Sequence, residues 1–143
     1  MGLRAQVYYF LKDYTNSMND YNICIKLDPK NSVNYIGRAD LKFDLMDYTG
    51  AIFDYSKAIE LFPNSYKAYY GRAVTKAMLD DYRGCLIDIK KAIELNPKCG
   101  ASYKAKGIAI YYLGDKNQAC LDWSKAGELG EFSAYDLIKK YCN

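Results

Sequence analysis

Four cation–carboxylate couples recur along this chain at one fixed interval: Arg4 with Asp20, Arg38 with Asp54, Arg72 with Asp88, and Lys106 with Asp122. Cations and carboxylates in partnership can bind anions or move protons. Catalytic pairs are singular, however, whereas structural pairs recur with the element that needs them. Two readings of the series stand. One is a basic stripe for acidic partners; the other is a ladder of ion pairs between helices. Both signs recur in step, which favours the ladder, each exposed pair contributing about 0.2–1 kcal/mol.

Other reactive groups are sparse. Histidine is absent, which removes the commonest general base, metal ligand and near-neutral switch together. No Walker-type, nucleophile-elbow or dinucleotide glycine motif occurs. The chain therefore reads as a non-enzyme without cofactor or metal. Five cysteines, Cys24, Cys85, Cys99, Cys120 and Cys142, form no C-x-x-C pair, and an odd count is not a disulfide framework. Reduced thiols in the cytoplasm are the default. Cys120 and Cys142 lie on what should be antiparallel neighbours either side of Gly130, so a bond between them is the alternative. It needs Cα atoms within about 7 Å, and it would favour the periplasm or cell envelope.

Twenty basic against 17 acidic residues give a net charge of +3. That excess is too small and too dispersed to argue for nucleic acid or an anionic membrane. No stretch approaches the ~20 apolar residues of a membrane span. The opening residues resemble neither a signal peptide nor, with Gln6 where Ser or Thr is expected, a myristoylation site.

What positions these groups is a repeat. Pro29, Pro63 and Pro97 are 34 residues apart, and Asp13, Asp47, Asp81 and Asp115 share the step. A fixed period of this length marks a stacked solenoid, which has a row of interfaces and no single core. Each unit reads as two amphipathic helices. In the second, one runs from about Ser32 to Leu45; Asp47 then caps another, marked by Tyr48, Ala51, Ile52, Tyr55, Ala58, Ile59 and Leu61 and ended by Pro63. Asn31 and Ser65 are equivalent caps for the first helices. Twelve aligned sites are all small: Ala5, Ser17, Cys24; Ala39, Ala51, Ala58; Ala73, Cys85, Ala92; Gly107, Ala119, Ala126. Such sites let antiparallel helices approach closely. Tyr14, Tyr21, Tyr35, Tyr48, Tyr55, Tyr69, Tyr82 and Tyr103 recur beside them as packing residues.

With Tyr35, Ala39, Tyr48, Ala51, Tyr55, Ala58 and Pro63 in place, the second unit resembles a tetratricopeptide repeat (TPR), and the resemblance covers nearly the whole chain. It implies an all-α, right-handed superhelical solenoid of antiparallel helix pairs. The expected units are 1–31, with a shortened first helix, then 32–65, 66–99 and 100–130. A capping helix is expected over 131–142, where Glu131 replaces the recurring proline. No cap is visible at the start, so either the native chain extends upstream of Met1 or the open end meets another molecule.

In proteins similar to this one the first helices line a concave groove for a peptide or helix of a partner protein. That geometry selects Tyr9, then Ile36, Asp40 and Phe43, then Lys67, Tyr70 and Val74, then Lys104, Ile108, Tyr111 and Tyr112. Tyr70, Tyr111, Tyr112, Ile36 and Phe43 are the expected anchors, with Lys67 and Lys104 orienting acidic groups. One TPR subfamily grips a terminal carboxylate with basic and Asn side chains; the matching places here hold Gly2, Gln6, Gly37, Lys67 and Gly71. Only Lys67 fits, so a more apolar ligand is expected. The alternative is a structural module self-associating, as a homo-oligomer or longer array, through its N-terminal end. A carrier or enzyme using Cys99 has one reactive atom to support it.

Overall fold

The computed structural model describes residues 1–142 and folds them into nine α-helices with no strand among the described residues. Four antiparallel pairs follow in order: α1 (Gly2–Phe10) with α2 (Tyr14–Leu27), α3 (Ser32–Asp44) with α4 (Tyr48–Leu61), α5 (Tyr66–Met78) with α6 (Tyr82–Leu95), and α7 (Gly100–Tyr112) with α8 (Lys116–Glu128). A single helix, α9 (Ala134–Tyr141), packs on α8. It starts later than the sequence suggests, because 131–133 form a turn. Each helix packs on its successor, and α1, α3, α5 and α7 also touch in series, so the first helices form one continuous face.

Local chemistry sets these boundaries. Asp13, Asp47, Asp81 and Asp115 each cap a second helix by accepting a hydrogen bond from the backbone N–H three residues on. Asn31 caps α3 by accepting from the Val33 N–H and Ser65 caps α5 by accepting from the Ala68 N–H, whereas Cys99 precedes α7 without a side-chain cap. Between the helices of each pair one residue turns left-handed: Lys12, Met46 and Asp80 at φ near +60°, and Gly114 at +100°. Only Gly114 is of a type that adopts this conformation freely.

The small-residue seam is buried at all twelve sites. Clusters such as Ala73, Cys85, Ile89, Ala92 and Ala109 join consecutive units, as a solenoid core requires. Of the packing tyrosines, Tyr21, Tyr35 and Tyr55 are buried and the other five half-buried. Between units a large side chain meets a small one. A methyl group on Gly37 would run into the ring of Tyr21, and one on Gly71 into the ring of Tyr55. One unit on, Ile89 replaces the tyrosine and Ala105 the glycine, both in one cluster.

The recurrent couples are ion pairs within each unit. Arg38 grips Asp54 with two hydrogen bonds, 2.8 and 2.7 Å; Arg72 holds Asp88 at the same distances; Arg4 holds Asp20 at 2.6 and 2.8 Å; Lys106 meets Asp122 at 2.7 Å. The expectation of exposed pairs needs correction. Asp54 is fully buried and Asp88 nearly so, and each takes a second cation, Lys42 at 2.9 Å and Lys76 at 2.7 Å. These carboxylates have left water, so losing a partner strands a charge where solvent cannot compensate it. Arg38 also donates to Asn22 and Arg72 to Ser56, tying each unit to the preceding one.

Cys120 and Cys142 are joined by a disulfide, their Cα atoms 5.9 Å apart, so the reduced default does not describe this pair. Cys24 and Cys85 are buried thiols and Cys99 a half-buried one. The bond ties the end of α9 to α8, where Trp123 is 1% exposed and packs between Tyr111 and Tyr141. At the other end Leu3, Val7, Phe10 and Leu11 are 80%, 54%, 79% and 71% exposed along α1 and the residue after it.

Candidate functional site: the concave face

The first helices present their residues to one face because side chains three and four positions apart share a helical side. Seven of the selected residues, Tyr9, Ile36, Asp40, Phe43, Lys67, Tyr70 and Val74, line one cavity of about 390 Å3 across α1, α3 and α5. A second concavity, about 450 Å3, continues the groove, with Tyr70 and Val74 shared and Lys104, Ile108 and Tyr112 added from α7. Tyr112 is exposed and stacks on Tyr82 with ring centroids 4.7 Å apart.

Two selected residues are differently employed. Tyr111 lies in the aromatic cluster beneath α9, its ring 4.8 Å from Tyr141 and 5.7 Å from Trp123. Lys104 is already engaged: its ammonium donates to Glu131 at 2.9 Å and to Ser133 at 2.8 Å. Ser133 and Lys104 together hold the Glu131 carboxyl below its ordinary range. Only Lys67 of the two cations is exposed without an ion pair among the described residues.

Two hydrogen-bonded carboxylates line the first cavity, Asp40 half-buried and Asp44 exposed. Tyr9 donates its hydroxyl hydrogen to Asp44 at 2.6 Å, and Tyr55 donates to Asp40 at 2.5 Å. Asp44 and Tyr55 line the same cavity and were not among the selected residues. Asp44 sits one helical turn after Asp40, a signal available in the spacing; Tyr55 reads as packing and serves both roles. Burial, more than the Asp44 charge, raises the Asp40 carboxyl above its usual range, against the lowering effect of the Tyr55 hydrogen bond and of Lys67. Burial likewise raises the Tyr9, Tyr55 and Tyr70 hydroxyls. The groove can thus offer aromatic and aliphatic surface with carboxylate acceptors beside it. No cluster of potential metal ligands exists among the described residues, and no described helix is long and apolar enough to cross a membrane.

Comparison with known proteins agrees with this architecture. Residues 1–31 match the family model described as tetratricopeptide repeat. No curated protein matches the chain. The crystal structure of MamA aligns with a TM-score of 0.83 at 21% identity, covering 92% of this chain and 78% of that one. The first TPR of Spaghetti (RPAP3), bound to the HSP90 peptide SRMEEVD, aligns with a TM-score of 0.75 at 22% identity, over 80% of this chain and 93% of that one. A MamA RS-1 ArsTM double mutant gives 0.81 at 16% identity, over 89% and 71%. At these identities the solved structures share the fold. Residues 1–31 are thus similar to a tetratricopeptide repeat, and the chain shares the fold of these solved structures over nearly all its length.

Proposed function

We propose that the chain is a non-catalytic scaffold whose concave face receives a peptide or helix of a partner protein. The observation that carries this is the pair of cavities joined through Tyr70 and Val74. Ile36, Phe43, Tyr70 and Tyr112 supply the apolar anchors that binding hot spots favour, and Lys67 stands at the edge. The TPR bound to the HSP90 peptide is a protein of the same fold that holds a peptide. Rigid stacking of the units lets binding proceed with little rearrangement. Neither nucleic acid nor membrane figures in this reading. The Cys120–Cys142 bond favours an oxidising compartment, the periplasm or cell envelope, over the cytoplasm.

Partners captured by the wild type are compared with those captured by Tyr70→Glu and Tyr112→Glu, each checked for native helicity. A protein held by the wild type and lost by both folded variants supports the groove. Equal affinity for all three baits overturns it. A second reading is favoured by one observation: the exposed row Leu3, Val7, Phe10 and Leu11 invites self-association. Mass that rises with concentration, and falls back in Phe10→Glu, would support that reading; a strict monomer refutes it.

A further inference from the structure

We propose that the cavity between α1, α3 and α5 seats a cationic side chain of the partner segment, arginine or lysine, with its charge against Asp40 and Asp44. The inference rests on the groove reading above and names the chemistry of what enters it.

Two carboxylates and one exposed ammonium line this cavity, Asp40, Asp44 and Lys67, so its formal charge is negative. The sequence reading expects Lys67 and Lys104 to draw acidic groups, but Lys104 spends its charge on Glu131. That leaves acceptors in the majority. Each carboxylate receives one tyrosine hydroxyl, from Tyr9 and from Tyr55. A carboxylate has about four lone-pair sites, so both keep acceptor capacity. The tyrosine hydrogens are already committed, so these hydroxyls have only lone pairs to offer a guest.

Aromatic residues complete the complementarity. Tyr9, Phe43 and Tyr70 stand around the same cavity, and aromatic faces attract cations beside them. Burial has also pushed Asp40 towards its neutral form; an incoming cation relieves that cost, whereas an incoming carboxylate adds to it. An aliphatic stem would lie along Ile36 and Val74 with the charged head at the two carboxylates. Arginine and lysine have that division of apolar stem and charged tip. The peptide SRMEEVD, which the RPAP3 domain holds, carries three acidic residues against one arginine.

The test is selection from a displayed library of random peptides on the full-length chain at low salt. Parallel selections use the charge-neutral Tyr70→Ala and the isosteric Asp40→Asn/Asp44→Asn, whose amide oxygens still accept from Tyr55 and Tyr9. Thermal melts establish that each variant is folded. Peptides that depend on Tyr70 should be enriched in Arg and Lys. A selected peptide should bind the double Asn variant about tenfold or more weakly, a loss matching one charge-assisted hydrogen bond. Replacing its cation by norleucine should weaken wild-type binding similarly, and added salt should weaken it further. Tyr70-dependent peptides with no basic enrichment, or with undiminished affinity for the double Asn variant, overturn this inference and leave the groove reading intact. A selection that yields no Tyr70-dependent peptide overturns both.

Discussion

Arg38→Met tests whether the repeated ion pairs are buried machinery or surface ornament. The substitution keeps an unbranched apolar stem and removes the guanidinium. It leaves the Asp54 carboxylate, wholly buried, with Lys42 at 2.9 Å as its one remaining cation. Breaking a buried pair from one side costs about 3–5 kcal/mol. Lys42 retains part of the compensation, so the expected loss is near the lower limit, about 3 kcal/mol. Adding Asp54→Leu to Arg38→Met should then recover stability, since removing both partners is far cheaper than stranding one. Lys42 has 19% of its side chain exposed and can turn its head to water. Lys106→Met offers an internal comparison, because among the described residues Asp122 pairs with Lys106 and then has Gln118 at 3.4 Å, with no second ion pair beside it. Urea unfolding followed by circular dichroism, fitted with a nearest-neighbour repeat description, gives each difference. A loss below about 1 kcal/mol for Arg38→Met would place the pair in the surface regime. A double variant no more stable than the single one would refute the buried-charge argument itself.

Gly71→Ala gains about 1 kcal/mol of helix propensity, yet its methyl meets the ring of Tyr55, which is buried and tethered to Asp40. Overpacking costs about 1–3 kcal/mol, so net destabilisation is expected in urea melts, and Tyr55→Ile should relieve it by recreating the Ile89–Ala105 pairing; a stabilised single variant contradicts the packing argument. Cys120→Ser should loosen α9, because closing 22 residues of chain is worth about 3 kcal/mol in the loop-entropy account. Trp123, the single tryptophan, lies under that helix and its emission should shift; an unchanged melt and spectrum would count against the strap. The pH dependence of Asp40 follows from its raised carboxyl. Between the ordinary carboxylate range and the raised value the folded state binds more protons than the unfolded one, so stability from this group falls as pH rises through that window. Asp40→Asn should remove that part of the slope, and a difference curve flat across the window would refute it.

The repeat was legible in the sequence because its causes are local. Asp47 and Ser65 cap helices through hydrogen bonds to backbone three residues away, and Ala39, Ala51 and Ala58 mark a seam that recurs with the period. Ten of the eleven selected residues line the two joined cavities for the same reason, since a helical face is fixed by spacing alone. Tyr111 could not. One position from Tyr112, it shares the apolar, aromatic character of a groove residue, and only the docking of α9 decides that it packs against Tyr141.

The sequence by itself determined four helix pairs, their caps, their small-residue seam and which cations and carboxylates recur together. Tertiary structure decided how those groups are spent. It buried Asp54 and gave it Lys42 besides Arg38, took Lys104 for Glu131, joined Cys120 to Cys142, and brought Tyr55 under Asp40 beside Asp44 and Tyr9. The physical reason is rotational. Spacing fixes the direction of a side chain about its own helix, but the facing helix is set by packing between units, and a small change in phase sends a charged or thiol group to a different neighbour.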